Sequence, residues 1–136
     1  MKLRLMIGIL FLSFIFPQLT FFTNEEYDRY KYLSTKIEWL TPDYYLIVKN
    51  TTKKYDVEMD LALSLVEIES NGKNVVSRLN KNGTRDYGRF QVNSVHEKDN
   101  PKKLLNDGYN TNVAINYLSK CIDKASGNYF YAIRFY

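Results

Sequence analysis

With 136 residues and 45% hydrophobic side chains, the chain is long enough for one packed core and too short for two independent ones. Its formal charge of +4 drops to +2, 17 basic against 15 acidic, once Lys2 and Arg4 are set aside with the first 22 residues. That is too mild and too scattered to argue for nucleic acid, whose binding usually shows as a basic stripe, and leaves only weak attraction to an acidic polymer.

In chain order, MKLRLMIGILFLSFIFPQLTFF has a short basic start, an apolar run from Leu5 to Phe16, then Pro17 and Gln18. This is the layout of a secretory signal peptide. No small-x-small cleavage site is evident, so an uncleaved anchor from Leu3 to Phe22 is the alternative, near the roughly 20 residues that span a bilayer. Both readings send the rest of the chain out of the cytoplasm, to the periplasm or cell envelope. A buried amino-terminal helix of a cytosolic protein is the remaining reading. Cys121 is the only cysteine, which rules out an internal disulfide, and the leader has no cysteine for lipidation. A lone histidine, His96, gives a zinc site no support.

Residues 23–40 read as a helical lead-in without a clean apolar stripe. Thr41-Pro42-Asp43 predicts an N-cap followed by proline at the first helical position, opening a helix to about Lys54. Residues 57–65 alternate apolar and polar, which admits a strand, but the longer span LALSLVEIESNG fits a helix better. At roughly 100° per residue, Leu61, Ala62, Leu65, Val66 and Ile68 share one arc. Glu67 points away from it, toward water, whereas Glu69 falls inside it. Residues 71–86 read as a polar loop, and DYGRFQVN follows. A further helix is predicted from about Thr111 to Ala125, capped by Asn110 or Thr111. The aromatic stretch NYFYAIRFY closes the sequence. No internal repeat or low-complexity segment interrupts this mostly helical pattern.

Two clusters carry chemistry. A carboxyl group on an apolar helix face is desolvated, which raises its pKa and lets it serve as a general acid near neutral pH. Glu69 meets that description; the plain alternative is an edge glutamate whose stem packs and whose carboxylate reaches water. In the second cluster, Gly88 permits a backbone conformation or close ligand approach. Gln91 and Asn93 each offer an amide donor and acceptor for N-acetyl and hydroxyl groups, and Tyr87 and Phe90 offer flat apolar faces. An Asp-Tyr-Gly turn leading into a short element explains this cluster equally well.

The order and spacing of these residues resemble the lysozyme-like lytic transglycosylase family, including soluble lytic transglycosylases and the small enzymes associated with type IV and type III secretion systems. Glu69-Ser70 matches the family's Glu-Ser. Asp86, Gly88, Gln91, Asn93 and Ser94 match Asp-x-Gly-x-x-Gln-Ile-Asn-Ser. Asn110 through Leu118 is similar to Asn-x-x-x-Gly-x-x-Tyr-Leu with Ala114 in place of glycine, and Ala132 to Tyr136 is similar to the start of Ala-x-x-x-Tyr-Asn.

The resemblance implies a mainly α, lysozyme-like single domain over residues 41–136 with little or no sheet. It implies an enzyme that cleaves the peptidoglycan bond between N-acetylmuramic acid and N-acetylglucosamine, leaving a 1,6-anhydro end and using no cofactor or metal. Glu69 becomes the acid and then the base; Ser70, Gly88, Phe90, Gln91, Asn93, Tyr117 and Tyr136 become substrate-binding residues. Partners would be glycan strands and secretion-system or envelope assembly components, with a membrane tether through residues 3–22 and no nucleic acid. Three departures stand out. Arg89 replaces an apolar residue and is expected to alter the cleft wall. Ala114 is expected to shift helix packing. The sequence reaches Tyr136 without the following asparagine, which puts the completeness of the cleft in question. Alternatives are a muramidase-type hydrolase with Asp86 as second carboxylate, a non-catalytic wall-binding assembly protein, and a membrane-tethered helical scaffold without wall contact.

Overall fold

The computed structural model describes residues 22–136, so the predicted leader lies outside the described residues except for Phe22. The chain divides into two compact units, one up to Tyr32 and one from Leu33 to Tyr136. Helix α1 (Asn24–Ser34) begins in the first and has no buried residue, as expected of a segment without an apolar stripe. Its start is a reciprocal capping box: the Glu26 amide donates to Thr23 Oγ1 at 3.2 Å and the Thr23 amide donates to Glu26 Oε2 at 2.8 Å.

The second unit is built from α2 (Pro42–Tyr55), α3 (Met59–Ser70), α4 (Asp107–Lys124) and α5 (Tyr129–Phe135), with a two-residue hairpin, β1 (Asp86–Tyr87) and β2 (Val92–Asn93), between α3 and α4. The strands pair antiparallel, with Asp86 opposite Asn93 and Tyr87 opposite Val92. Short 3-10 turns follow at Ser94–His96 and Pro101–Leu105. Among the described residues no helix is long and apolar enough to cross a membrane. This is a mainly α, lysozyme-like architecture with a minimal sheet.

The start of α2 follows the sequence signal. Thr41 accepts from the Tyr44 amide at 3.3 Å, and Pro42 occupies the first turn, where its missing N–H costs no hydrogen bond. Helix α4 is the central element, packing against α2, α5 and the Pro101–Leu105 turn. Tyr44, Tyr45 and Val48 of α2, Ala62 and Val66 of α3, and Ile115 and Leu118 of α4 are buried together in the core of this unit.

Residues 59–70 form a helix, not a strand, but its packed face is offset from the predicted one. Ala62, Leu63, Leu65 and Val66 are buried, whereas Ile68 is 76% exposed. On a helical wheel the buried arc is centred near Ala62 and Val66; Leu63 lies on one side and Leu65 on the other, which leaves Ile68 past the edge. Glu69 stays within the arc, between Leu65 and Ala62. The helix ends as Asn71 takes a left-handed conformation with φ 51°, its amide bonding the Glu67 carbonyl at 2.9 Å.

The helix predicted from about Thr111 starts earlier, at Asp107. Asn106 caps α4, its Oδ1 accepting from the Tyr109 amide at 2.9 Å. Asn110 and Thr111 are instead buried inside the helix.

Candidate active site

The last turn of α3, the hairpin, α4 and the residue after α5 surround a cleft of about 300 Å³, at the small end of the range for ligand sites. Its lining includes Glu69, Asp86, Gln91, Asn93, Tyr117 and Tyr136, together with His96 and Val113. Residues separated by up to 67 positions in sequence thus meet at one place.

Glu69 is exposed as a whole residue, with its carboxyl partly desolvated where it lines the cleft. That burial, and secondarily the nearby Asp86 charge, raise its carboxyl above the ordinary glutamate value. Glu67, two residues earlier, is exposed and accepts from Trp39 Nε1 outside this cleft. The helical phase has separated the two glutamates as the sequence predicted.

Asp86 is oriented through both oxygens. Its Oδ1 accepts from Asn93 Nδ2 at 2.7 Å and its Oδ2 from Asn80 Nδ2 at 3.0 Å. Asn93 Nδ2 also reaches Thr84 Oγ1 at 2.8 Å, while Asn93 Oδ1 accepts from the Val95 amide at 3.1 Å. Asn93 therefore lines the cleft with its Nδ2 donors committed to the protein and its Oδ1 already accepting one hydrogen bond. Gln91 differs in one respect. Its Nε2 donates to the carbonyls of Gly88 at 2.7 Å and Val75 at 3.2 Å, which leaves Oε1 to accept from a ligand.

Three other expected binding residues have structural places instead. The Phe90 side chain is 1% exposed and belongs to the core. Gly88 has φ +75°, and a Cβ there would lie 2.5 Å from the Asn110 side chain and the Leu104 carbonyl oxygen, so protein, not ligand, approaches it. Ser70 Oγ is 2.7 Å from the Arg89 carbonyl and 3.2 Å from that of Val66, tying the end of α3 to the hairpin turn.

Asn110 explains the Gly88 contact. Its Oδ1 accepts from the Phe90 amide at 3.0 Å and its Nδ2 donates to the Tyr87 carbonyl at 2.8 Å, so one buried amide spans the turn. Sequence reasoning missed this clamp because an asparagine near a helix start reads as a cap.

Arg89 does not reach the cleft wall, contrary to expectation. Its Nε pairs with Asp107 at 3.0 Å, its guanidinium donates to the Gly72 carbonyl, and its Cζ lies 4.5 Å from the centroid of the Tyr44 ring. The arginine joins the ends of α3 and α4 behind the site. Ala114 is 1% exposed and lines the cleft from α4.

His96, Tyr117 and Tyr136 form an aromatic wall, with centroids 5.1 Å apart for the first pair and 5.8 Å for the second. Tyr117 donates to the Phe135 carbonyl at 2.9 Å, and Tyr136 donates to the Phe90 carbonyl at 3.3 Å. Burial, ahead of the Glu69 charge, pushes the Tyr136 phenol up, so it stays protonated through the neutral range. His96 was overlooked as a cleft residue; the signal was its place three residues after Asn93, where a short turn brings it back along the strand. Among the described residues no group of three or more His, Cys, Asp or Glu side chains is arranged to hold a metal.

Residues 47–136 match the family model described as the transglycosylase SLT domain. The chain belongs to this family. The SLT domain contains every residue of the cleft, and the family carries lytic transglycosylase-type activity toward peptidoglycan. A comparison with curated proteins gives no match.

Proposed function

We propose that this protein is a peptidoglycan lytic transglycosylase with Glu69 as its only catalytic carboxyl group. The observation that carries the reading is the desolvated Glu69 carboxyl at the end of α3, facing a cleft with the hydrogen-bonding groups and aromatic faces a sugar requires.

Protonated Glu69 gives its proton to the glycosidic oxygen as the bond to muramic C1 breaks, and the N-acetylglucosamine leaves with a free hydroxyl. The resulting carboxylate then takes the proton of the muramic C6 hydroxyl, whose oxygen bonds to C1. The 1,6-anhydro ring closes, Glu69 is protonated again, and no water is consumed. Gln91 Oε1 accepts from a sugar hydroxyl or amide, and Tyr117 and Tyr136 provide the apolar wall. The negative charge of Asp86 beside Glu69 supports a role in holding the Glu69 proton.

The apolar leader with its basic start supports export to the periplasm or envelope, and action there in wall remodelling or in opening the wall for a secretion or surface assembly. Mass spectrometry of peptidoglycan products tests the chemistry. Wild type is expected to yield anhydro-ended fragments, and Glu69→Gln to lower their rate at least a thousandfold, of the order expected when the essential proton donor is lost. Reducing ends would assign hydrolysis with Asp86 activating water; equal cleavage by the variant would remove Glu69 from the mechanism.

A further inference from the structure

The mild net charge conceals a segregation. Residues 71–103 carry eight Lys and Arg against three Asp and Glu, a net +5, whereas residues 33–70 carry four against seven, a net −3. The positive segment is a single structural lobe. Ser77 bonds Asp86, Ser94 bonds Arg85, and Asn80 bonds Thr84 through backbone hydrogen bonds of 2.8 Å each. Lys73, Arg78, Lys81, Lys98 and Lys102 are all exposed on it. Among the described residues none of these five has an ion-pair partner; Lys103 pairs with Glu97 at 3.7 Å, and Arg89 is turned inward to Asp107.

We infer that this basic lobe is a docking surface for the stem-peptide carboxylates of peptidoglycan, holding the wall beside the cleft. The inference rests on the proposed glycan substrate and adds a second point of attachment to it. The lobe also supplies Asp86, Gln91, Asn93 and His96 to the cleft, so a glycan bound there runs alongside the cationic surface. Stem peptides project from each muramic residue and present carboxylates at varied positions, which suits long, independently mobile lysines. The lobe's exposed large apolar residues are Val75, Val76, Leu79 and Val95; Phe90 is buried, Tyr87 is half-buried, and the exposed His96 packs its ring on Tyr117 at the cleft. Its cations are not interleaved with exposed Phe, Tyr or Trp rings of the kind on which nucleic-acid bases stack or that anchor a bilayer interface.

The test uses the full chain carrying Glu69→Gln, so that the wall remains intact, with and without Arg78→Gln, Lys81→Gln, Lys98→Gln and Lys102→Gln together. Pelleting with purified peptidoglycan at low ionic strength should show about a tenfold loss of affinity in the combined variant, from four exposed charge interactions. Added salt should weaken the unsubstituted lobe's binding much more than the variant's. Converting wall carboxylates to amides should bring both proteins to the same lower affinity. Equal binding to untreated wall, or undiminished binding to amidated wall, would overturn the inference, as would tighter binding to anionic vesicles or single-stranded nucleic acid. Cleavage of short soluble glycans without stem peptides, measured with Glu69 restored, separates the two proposals. The four substitutions should leave that rate unchanged; no cleavage by either form would count against the catalytic reading alone.

Discussion

The helices and the lobe between α3 and α4 are held together by different forces. Ala62, Val66, Ile115 and Leu118 are buried in a helical frame stabilised by apolar contact, which has no strong direction. The lobe depends on directed hydrogen bonds: Asn80 and Asn93 fix Asp86, Asn110 spans the Gly88 turn, and Arg89 joins two helix ends from within. A frame of the first kind accepts similar side chains of equal volume. A lobe of the second kind has individual groups whose partners are left buried and unsatisfied when one is removed. Glu69 stands where the two meet, on the last turn of α3 and close enough to the lobe to feel the Asp86 charge.

The largest stability effect expected from breaking this contrast is at Asn110. Asn110→Ala strands the Phe90 N–H and the Tyr87 carbonyl, and denaturant unfolding should show a loss of about 3 kcal/mol. Replacing Ile115 by valine in the frame should cost only about 1 kcal/mol. A similar loss for both would erase the distinction. Arg89→Leu, which introduces an apolar side chain of the kind usual in the family, should cost about 1–2 kcal/mol through the lost Asp107 and Tyr44 contacts. Cleavage below the melting transition should remain, because the arginine lies behind the cleft.

Asp86→Asn sharpens the electrostatic half of the comparison. Without that negative charge Glu69 loses its proton more easily, so the alkaline limb of the activity profile should move to lower pH. An unmoved limb would leave burial as the sole cause. The smallest effect concerns the stability of Glu69 itself. Because the folded protein holds this proton more tightly than the unfolded chain, the contribution to stability is full below the ordinary value of about 4.3 and is lost as pH rises through the folded value. Glu69→Gln should therefore melt on the order of 1 °C higher than wild type at neutral pH, with the gap closing toward pH 4 in a thermal scan.

The helical half was legible because periodicity and caps are local properties. Thr41-Pro42 placed the start of α2, and the phase of α3 distinguished Glu69 from Glu67. The shift of its buried face from Ile68 to Leu63 depends on where neighbouring helices lie, which no local pattern records. The lobe was legible as a motif but not as a mechanism. Gly88, Phe90 and Asn93 occupy recognisable positions, yet whether each meets ligand or protein depends on Asn110, Leu104 and Asp86 brought in from elsewhere. Arg89 was misplaced for the same reason: its three partners, Tyr44, Gly72 and Asp107, are distributed over three separate segments.

The carbonyls of Arg89 and Phe90 are consecutive in the chain; one accepts from Ser70 at the end of α3 and the other from Tyr136 beyond α5. Two neighbouring peptide units thus act as a rivet through three segments, so a substitution that frees either bond should loosen the ends of α3 and α5 together, measurable as faster amide hydrogen exchange at both.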